Sequence, residues 1–130
     1  MQALNPYAKY KENNIKTASP QELTLMLYNG ALKFVGQSKI FMEQKRIEDA
    51  NNSIIRVQDI IDELNATLDM QYEISHNLRS LYLYIGERLV DANISKSSES
   101  LEEVKNMITE LRDTWKEAME IVKPRKKVAR

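Results

Sequence analysis

Apolar residues recur at steps of three and four along most of this chain, which is the spacing of one face of an α-helix. Four such stripes are separated by short polar stretches and predict helices over about 20–43, 47–69, 72–94 and 99–123. The stripes comprise Leu23, Met26, Leu27, Ala31, Phe34 and Phe41; then Ile47, Ala50, Ile54, Val57, Ile61, Leu64 and Leu68; then Ile74, Leu78, Leu81, Ile85 and Ala92; and finally Leu101, Val104, Ile108, Leu111, Trp115, Ala118 and Val122.

The ends of these segments carry recognisable signals. Ser19, Pro20 and Glu22 form a helix start, because Ser suits the N-cap, Pro suits the first turn and Glu three residues on completes a capping box. Ser98 or Ser100 can cap the fourth helix, and Pro124 ends it.

Connections of only a few residues force consecutive helices to run antiparallel, because a short link reaches only the near end of the next helix. We therefore predict an all-α fold, an antiparallel up-down-up-down four-helix bundle with a short N-terminal segment packed on it. The predicted divisions are an N-terminal arm over 1–18, the bundle over 19–123 and a basic disordered tail over 124–130.

Composition narrows the function classes. Five of the nineteen Lys and Arg residues lie in 123–130, so residues 1–122 carry 14 basic and 19 acidic side chains. An acidic body is unsuited to nucleic acid, which requires clustered positive charge. The absence of Cys excludes disulfides and thiolate chemistry, and no apolar run is long enough to span a membrane or resemble a signal peptide. We expect a cytoplasmic protein without stable membrane insertion.

The helices carry more apolar side chains than one core stripe requires. The first helix has a second apolar line, the third has a similar surplus, and the second helix adds two isoleucines. Such residues either wrap around a tilted bundle or form a groove for a partner, since contiguous exposed apolar surface marks interaction sites. The surplus residues are Leu25, Tyr28, Leu32, Val35, Met42, Ile55, Ile60, Tyr82, Leu83, Tyr84, Leu89 and Val90.

The N-terminal arm carries two tyrosines on one helical face, Tyr7 and Tyr10, together with Leu4. So short a segment is not a stable helix by itself. It either docks permanently on the bundle or acts as a displaceable lid over a client groove, and periodicity does not separate these alternatives.

Catalytic and metal chemistry find little support in the sequence. Glu73 and His76 match one half of a di-iron bundle motif, but His76 is the only histidine, so the second half is missing. A lone helical histidine in a four-helix bundle is also found in histidine phosphotransfer modules, which leaves a signalling bundle as one alternative function. We expect no enzyme activity, no catalytic residue, no metal and no cofactor.

Several segments together resemble one known family, the flagellar secretion chaperones FliS. The similarity lies in Asn5-Pro6-Tyr7-Ala8-Lys9-Tyr10, in the run TASPQELTLMLYNGALKF over 17–34, and in three shorter stretches at 60–68, 88–93 and 111–118. The resemblance covers nearly the whole chain. It implies an antiparallel four-helix bundle that binds the disordered C-terminal segment of flagellin, prevents premature polymerisation and delivers the subunit to the flagellar type III export apparatus.

The resemblance also implies specific partners and residues. The expected partners are the flagellin C-terminal segment and a component of the flagellar export gate, while the chain itself is expected to be a monomer or a weak or domain-swapped dimer. A structural homodimer that uses the surplus face for itself remains a further alternative. The residues predicted to form the flagellin-binding surface or lid are Tyr7, Tyr10, Leu25, Tyr28, Leu32, Ile55 and Tyr84.

Overall fold

The structure is a computed structural model and describes residues 18–122. Four α-helices account for most of this range: α1 (Pro20–Glu43), α2 (Ile47–Ala66), α3 (Glu73–Ser95) and α4 (Ser98–Val122). Within 18–122 the regular secondary structure is entirely helical, which confirms the all-α fold class.

The predicted capping box at the start of α1 is confirmed. The Ser19 Oγ accepts the Glu22 backbone N–H at 3.1 Å, while Glu22 Oε1 accepts the Ser19 N–H at 2.9 Å. Two of the backbone donors that a helix start leaves unpaired are thereby satisfied. The connection between α1 and α2 is only three residues long. Lys45 within it adopts a left-handed conformation (φ 61°), which allows the chain to reverse over so short a distance.

Each helix packs against its neighbours in sequence, and α4 closes the ring against α1. Hydrogen bonds between side chains fix the register, as Ser38 on α1 contacts Ser53 on α2 at 2.6 Å and Asn93 on α3 donates to Asn51 on α2 at 2.7 Å. Towards the opposite end of α1, the Trp115 indole reaches the Gln21 carbonyl. Neighbouring helices therefore run antiparallel, as predicted from the short connections.

The core contains several residues that periodicity assigned to the surplus surface. Tyr28 and Val35 on α1 are 2% and 0% exposed, and Ile60 on α2 is 1% exposed. For these three residues the first alternative holds, in which the surplus side chains wrap around the bundle core. Each helix of the bundle packs against two neighbouring helices. The buried part of its surface is therefore wider than the single line of residues that a heptad pattern marks.

The core stripe of α3 was predicted correctly at Ile85 and Ala92 but not in the first half of the helix. The buried apolar residues are Tyr82, Ile85, Leu89 and Ala92, whereas Ile74 and Leu81, predicted for the core, are 61% and 38% exposed. An uninterrupted apolar run such as Leu81-Tyr82-Leu83-Tyr84-Ile85 fits two neighbouring helical lines equally well. Only the partner helices decide which line faces inward.

Only the first half of the apolar stripe on α4 lies in the core. Leu101, Val104 and Ile108 are fully buried, Leu111 and Trp115 are half-buried, and Ala118 and Val122 are exposed. The apolar stripe of α4 thus continues beyond the part that the bundle covers. α2 ends at Ala66, before the predicted limit of 69, and the chain turns through 67–72 before α3 begins.

The predicted N-terminal arm and basic tail lie outside the described residues, apart from Ala18. Among the helices of 18–122, none is both long and apolar enough to cross a bilayer.

Candidate functional site

An apolar groove lies between the first half of α3 and the second half of α4, and we call it the α3/α4 groove. Its volume is about 530 Å³. Most of its lining side chains are apolar, and Glu110 is the only acidic or basic residue among those that the described chain contributes. The groove is lined by Tyr28, Ile74, Asn77, Leu78, Leu81, Met107, Glu110, Leu111, Thr114, Trp115 and Ala118.

The groove exists because the two helices that form it carry apolar side chains that the other two described helices do not cover. Ile74 and Leu81 on α3 are exposed, and the facing Leu111 and Trp115 on α4 are only half-buried. Leu78, Met107, Leu111 and Trp115 pack on the core from the groove side, so the groove is continuous with the hydrophobic interior. A large apolar groove on a helical bundle is a typical site for an amphipathic helix.

The start of α1 is joined to one edge of this groove. The Trp115 indole Nε1 donates a hydrogen bond of 3.0 Å to the Gln21 carbonyl, one of the first residues of α1. This contact fixes the orientation of the largest side chain in the groove. It also places the N-terminal end of α1 beside the α3/α4 groove.

The floor of the groove is set by a buried pair of tyrosines. The Tyr28 ring lines the groove, and its hydroxyl lies 2.6 Å from that of Tyr82, which is 3% exposed. Burial raises the pKa of both hydroxyls, so both stay protonated at neutral pH. The pair ties α1 to α3 across the bundle and holds the groove floor in place.

The predicted site residues do not form one cluster. Tyr7 and Tyr10 lie outside the described residues, and Leu25 is half-buried on α1. Tyr28 lines the α3/α4 groove from its buried position, but Leu32 lines a separate, more polar groove between α1 and α4 together with Lys39 and Arg112. Ile55 is 41% exposed on α2.

Tyr84, the remaining predicted residue, belongs to a polar contact between α3 and α4. Its hydroxyl donates to Glu103 Oε2 at 2.6 Å, and Arg88 Nε donates to Glu103 Oε1 at 2.9 Å. The hydrogen bond from Tyr84, followed by that from Arg88, lowers the pKa of the Glu103 carboxyl, while the Tyr84 pKa is raised. Arg88 also contacts Asp91 and Ser100, so this cluster is paired internally.

Most groove residues were found in the sequence but assigned to the core. Ile74, Leu78, Leu81, Leu111 and Trp115 all belong to predicted core stripes. One feature of the sequence could have indicated the groove, namely the length of the apolar stripe on α4. This stripe runs from Leu101 to Val122 and is longer than the part that the neighbouring helices bury. Met107 is not a member of the predicted apolar stripe of α4, so the periodicity did not identify it as a groove residue.

His76 lies near the start of α3, and its Nε2 is 3.1 Å from the Met70 carbonyl oxygen. In the tautomer that carries the proton on Nε2, the ring donates to this carbonyl and closes the 67–72 turn onto the helix. No group of three or more His, Asp or Glu within residues 18–122 is arranged to hold a metal ion.

Residues 3–122 match the family described as flagellar protein FliS. The flagellar secretion chaperone FliS of Bacillus subtilis is 44% identical over 116 residues, covering 89% of this chain and 87% of the relative. That of Salmonella typhimurium is 32% identical over 109 residues, covering 82% and 81%.

A solved structure supports the fold. A crystal structure of a flagellar chaperone from bacteria superimposes with a TM-score of 0.73 and covers 91% of this chain and 98% of its own. Its sequence identity is 18%, so it bears on the fold alone. The shared architecture agrees with the four-helix bundle described above.

Proposed function

The chain belongs to the FliS family of flagellar secretion chaperones, and from this premise we propose that its client is the disordered C-terminal segment of flagellin. The observation that carries the proposal is the α3/α4 groove, an apolar surface with exposed Ile74 and Leu81 opposite Leu111 and Trp115. A client segment that forms an amphipathic helix would remove these side chains from water.

Binding of this kind is coupled to folding of the client. The apolar groove supplies the hydrophobic driving force, and the loss of conformational freedom in the client offsets part of it. The resulting affinity allows the segment to be covered in the cytoplasm, which prevents premature polymerisation, and to be released at the export gate. A protein with this role needs no catalytic residue, cofactor or metal.

The N-terminal arm is the second part of the proposal. Residues 1–17 precede a helix whose Gln21 carbonyl accepts a hydrogen bond from Trp115 of the groove, so the first turn of α1 lies at the groove edge. Tyr7 and Tyr10 would supply large apolar area with few rotatable bonds. We assign them the role of a lid that covers the groove until flagellin displaces it.

Calorimetric titration tests the client assignment. A peptide of roughly forty residues from the C-terminus of the cognate flagellin should bind the full-length chain saturably, with a negative heat-capacity change from burial of apolar surface. A scrambled peptide of the same composition is the matched control. Absence of saturable binding, or equal binding of the scrambled peptide, would contradict the proposal.

A further inference from the structure

A second line of exposed apolar side chains runs along the other side of α3. Leu83, Val90 and Ile94 are 55%, 42% and 79% exposed and lie at helical spacing on one face. The hydrogen bond between Asn93 and Asn51 sets the register with antiparallel α2, so exposed Ile55 lies at the level of Val90. The line from Leu83 to Ile94 spans about 16 Å, or three helical turns.

A groove of about 390 Å³ accompanies this line, and we call it the α2/α3 groove. Its lining includes Gly86, where an added Cβ would meet no atom within 4 Å. A glycine inside a helix costs about 0.5–1 kcal/mol relative to alanine, and no neighbour among residues 18–122 requires a glycine at this position. By contrast, Gly30 faces Ile60 Cδ1 at 3.5 Å. Gly86 keeps the groove open for close approach from outside.

The charged residues that line the α2/α3 groove indicate the chemistry of its occupant. The lining contains two carboxylates, Asp62 and Glu87, and no Lys or Arg among the described residues. Asp59 lies beside Asp62 on α2, and burial together with the Asp62 charge raises its pKa. The nearby Arg88 is directed away, towards Glu103 and Ser100 on α4. The groove is therefore negatively charged and suits a cationic occupant.

We propose that the α2/α3 groove is a second docking site, for an amphipathic helix of another protein that carries Lys or Arg beside its apolar stripe. The apolar stripe packs on Ile55, Leu83 and Val90, and the basic side chains face Asp62 and Glu87. A symmetric contact between the α2/α3 grooves of two copies of this chain does not fit, because it would bring like charges together. The two grooves lie on different sides of α3, so this partner and a segment in the α3/α4 groove can bind together.

A designed helical peptide of about 18 residues tests this site. It carries leucines at positions i, i+4, i+7 and i+11, flanking lysines and a fluorescent label, and its matched partner has glutamates in place of the lysines. Fluorescence anisotropy with the full-length chain should give saturable binding of the lysine peptide, on the order of tenfold tighter than the glutamate peptide. Equal binding of the two peptides, or no binding of either, would overturn the proposal.

Variants of exposed residues localise the binding. Val90→Glu should weaken the lysine peptide by on the order of tenfold or more, whereas Ile121→Glu, at a more exposed position at the far end of α4, should leave its affinity unchanged. The double variant Asp62→Lys with Glu87→Lys should reverse the preference between the peptides. Retained binding in Val90→Glu would overturn the assignment. So would loss of binding in Leu81→Glu, since that outcome places the peptide in the α3/α4 groove.

Discussion

The hydroxyl pair of Tyr28 and Tyr82 is the polar contact that most directly shapes the candidate site. Both rings are buried, one forms the floor of the α3/α4 groove and the other lines the α2/α3 groove. A phenol without a partner in the core would cost more than the hydrogen bond gains, so each hydroxyl needs the other. The pair therefore fixes the walls of two grooves with one contact.

Substitution of either tyrosine alone should destabilise the bundle. Tyr28→Phe or Tyr82→Phe keeps the ring but leaves one hydroxyl buried and unpaired, and should lower the free energy of unfolding by about 1–3 kcal/mol. The double variant should lose less than the sum of the two, as measured by urea denaturation. Tyr72→Phe, at an exposed position, is the control and should change little. Additive losses would contradict the pairing.

At the scale of elements, the α3–α4 contact is polar where Tyr84 and Arg88 meet Glu103, and apolar where the groove begins. Because its hydrogen-bonding partners lower the pKa of Glu103 below the ordinary 4.5, the folded state binds a proton there less readily than the unfolded chain. This contribution to stability is complete above pH 4.5 and is lost as the pH falls through the lowered pKa.

The pH dependence of unfolding tests this contact. In the parent chain, stability should fall between about pH 5 and pH 3, and Glu103→Gln should have a shallower decline because it cannot titrate. Tyr84→Phe removes the strongest cause of the shift and should move the decline attributable to Glu103 upward in pH, towards 4.5. Urea denaturation at several pH values measures both. Identical slopes in all three proteins would contradict the assignment.

The sequence predicted where the helices lie along the chain better than it predicted which face of each helix is buried. The capping signal at Ser19 and the apolar periodicity placed four helices, because backbone hydrogen bonding and local spacing are encoded within each segment. The rotation of α3 could not be predicted in this way, since Leu81 and Tyr82 are both apolar and only contact with Tyr28 selects Tyr82 for the interior. Groove residues were therefore mistaken for core, although the family and its fold were recognisable from the motifs.

At the scale of the whole molecule, the apolar stripes of the helices extend beyond the part of each helix that the core buries. The surplus that the sequence indicated is real, but it lies on α3 and the second half of α4 more than on α1, where Tyr28 and Val35 are buried. The uncovered area divides into two grooves on either side of α3. The α3/α4 groove lies beside the N-terminal end of α1.

Removal of the arm tests the lid. A chain that begins at Ala18 keeps the capping box intact and should bind the flagellin peptide on the order of 3- to 10-fold more tightly, because the peptide no longer competes with the arm. The full-length variant Tyr7→Ala with Tyr10→Ala should show the same gain in calorimetric titration. Unchanged or weaker binding in both proteins would contradict a displaceable lid.

The α3/α4 groove as the flagellin site is tested most directly by the affinity of Leu81→Glu. Leu81 is exposed, so the fold should tolerate the charge, and Ile121→Glu on α4 provides a control of matched chemistry outside the groove. In calorimetric titration with the flagellin C-terminal peptide, we predict that Leu81→Glu weakens binding on the order of tenfold or more while Ile121→Glu binds like the parent. Parent-like binding by a folded Leu81→Glu protein would contradict the account.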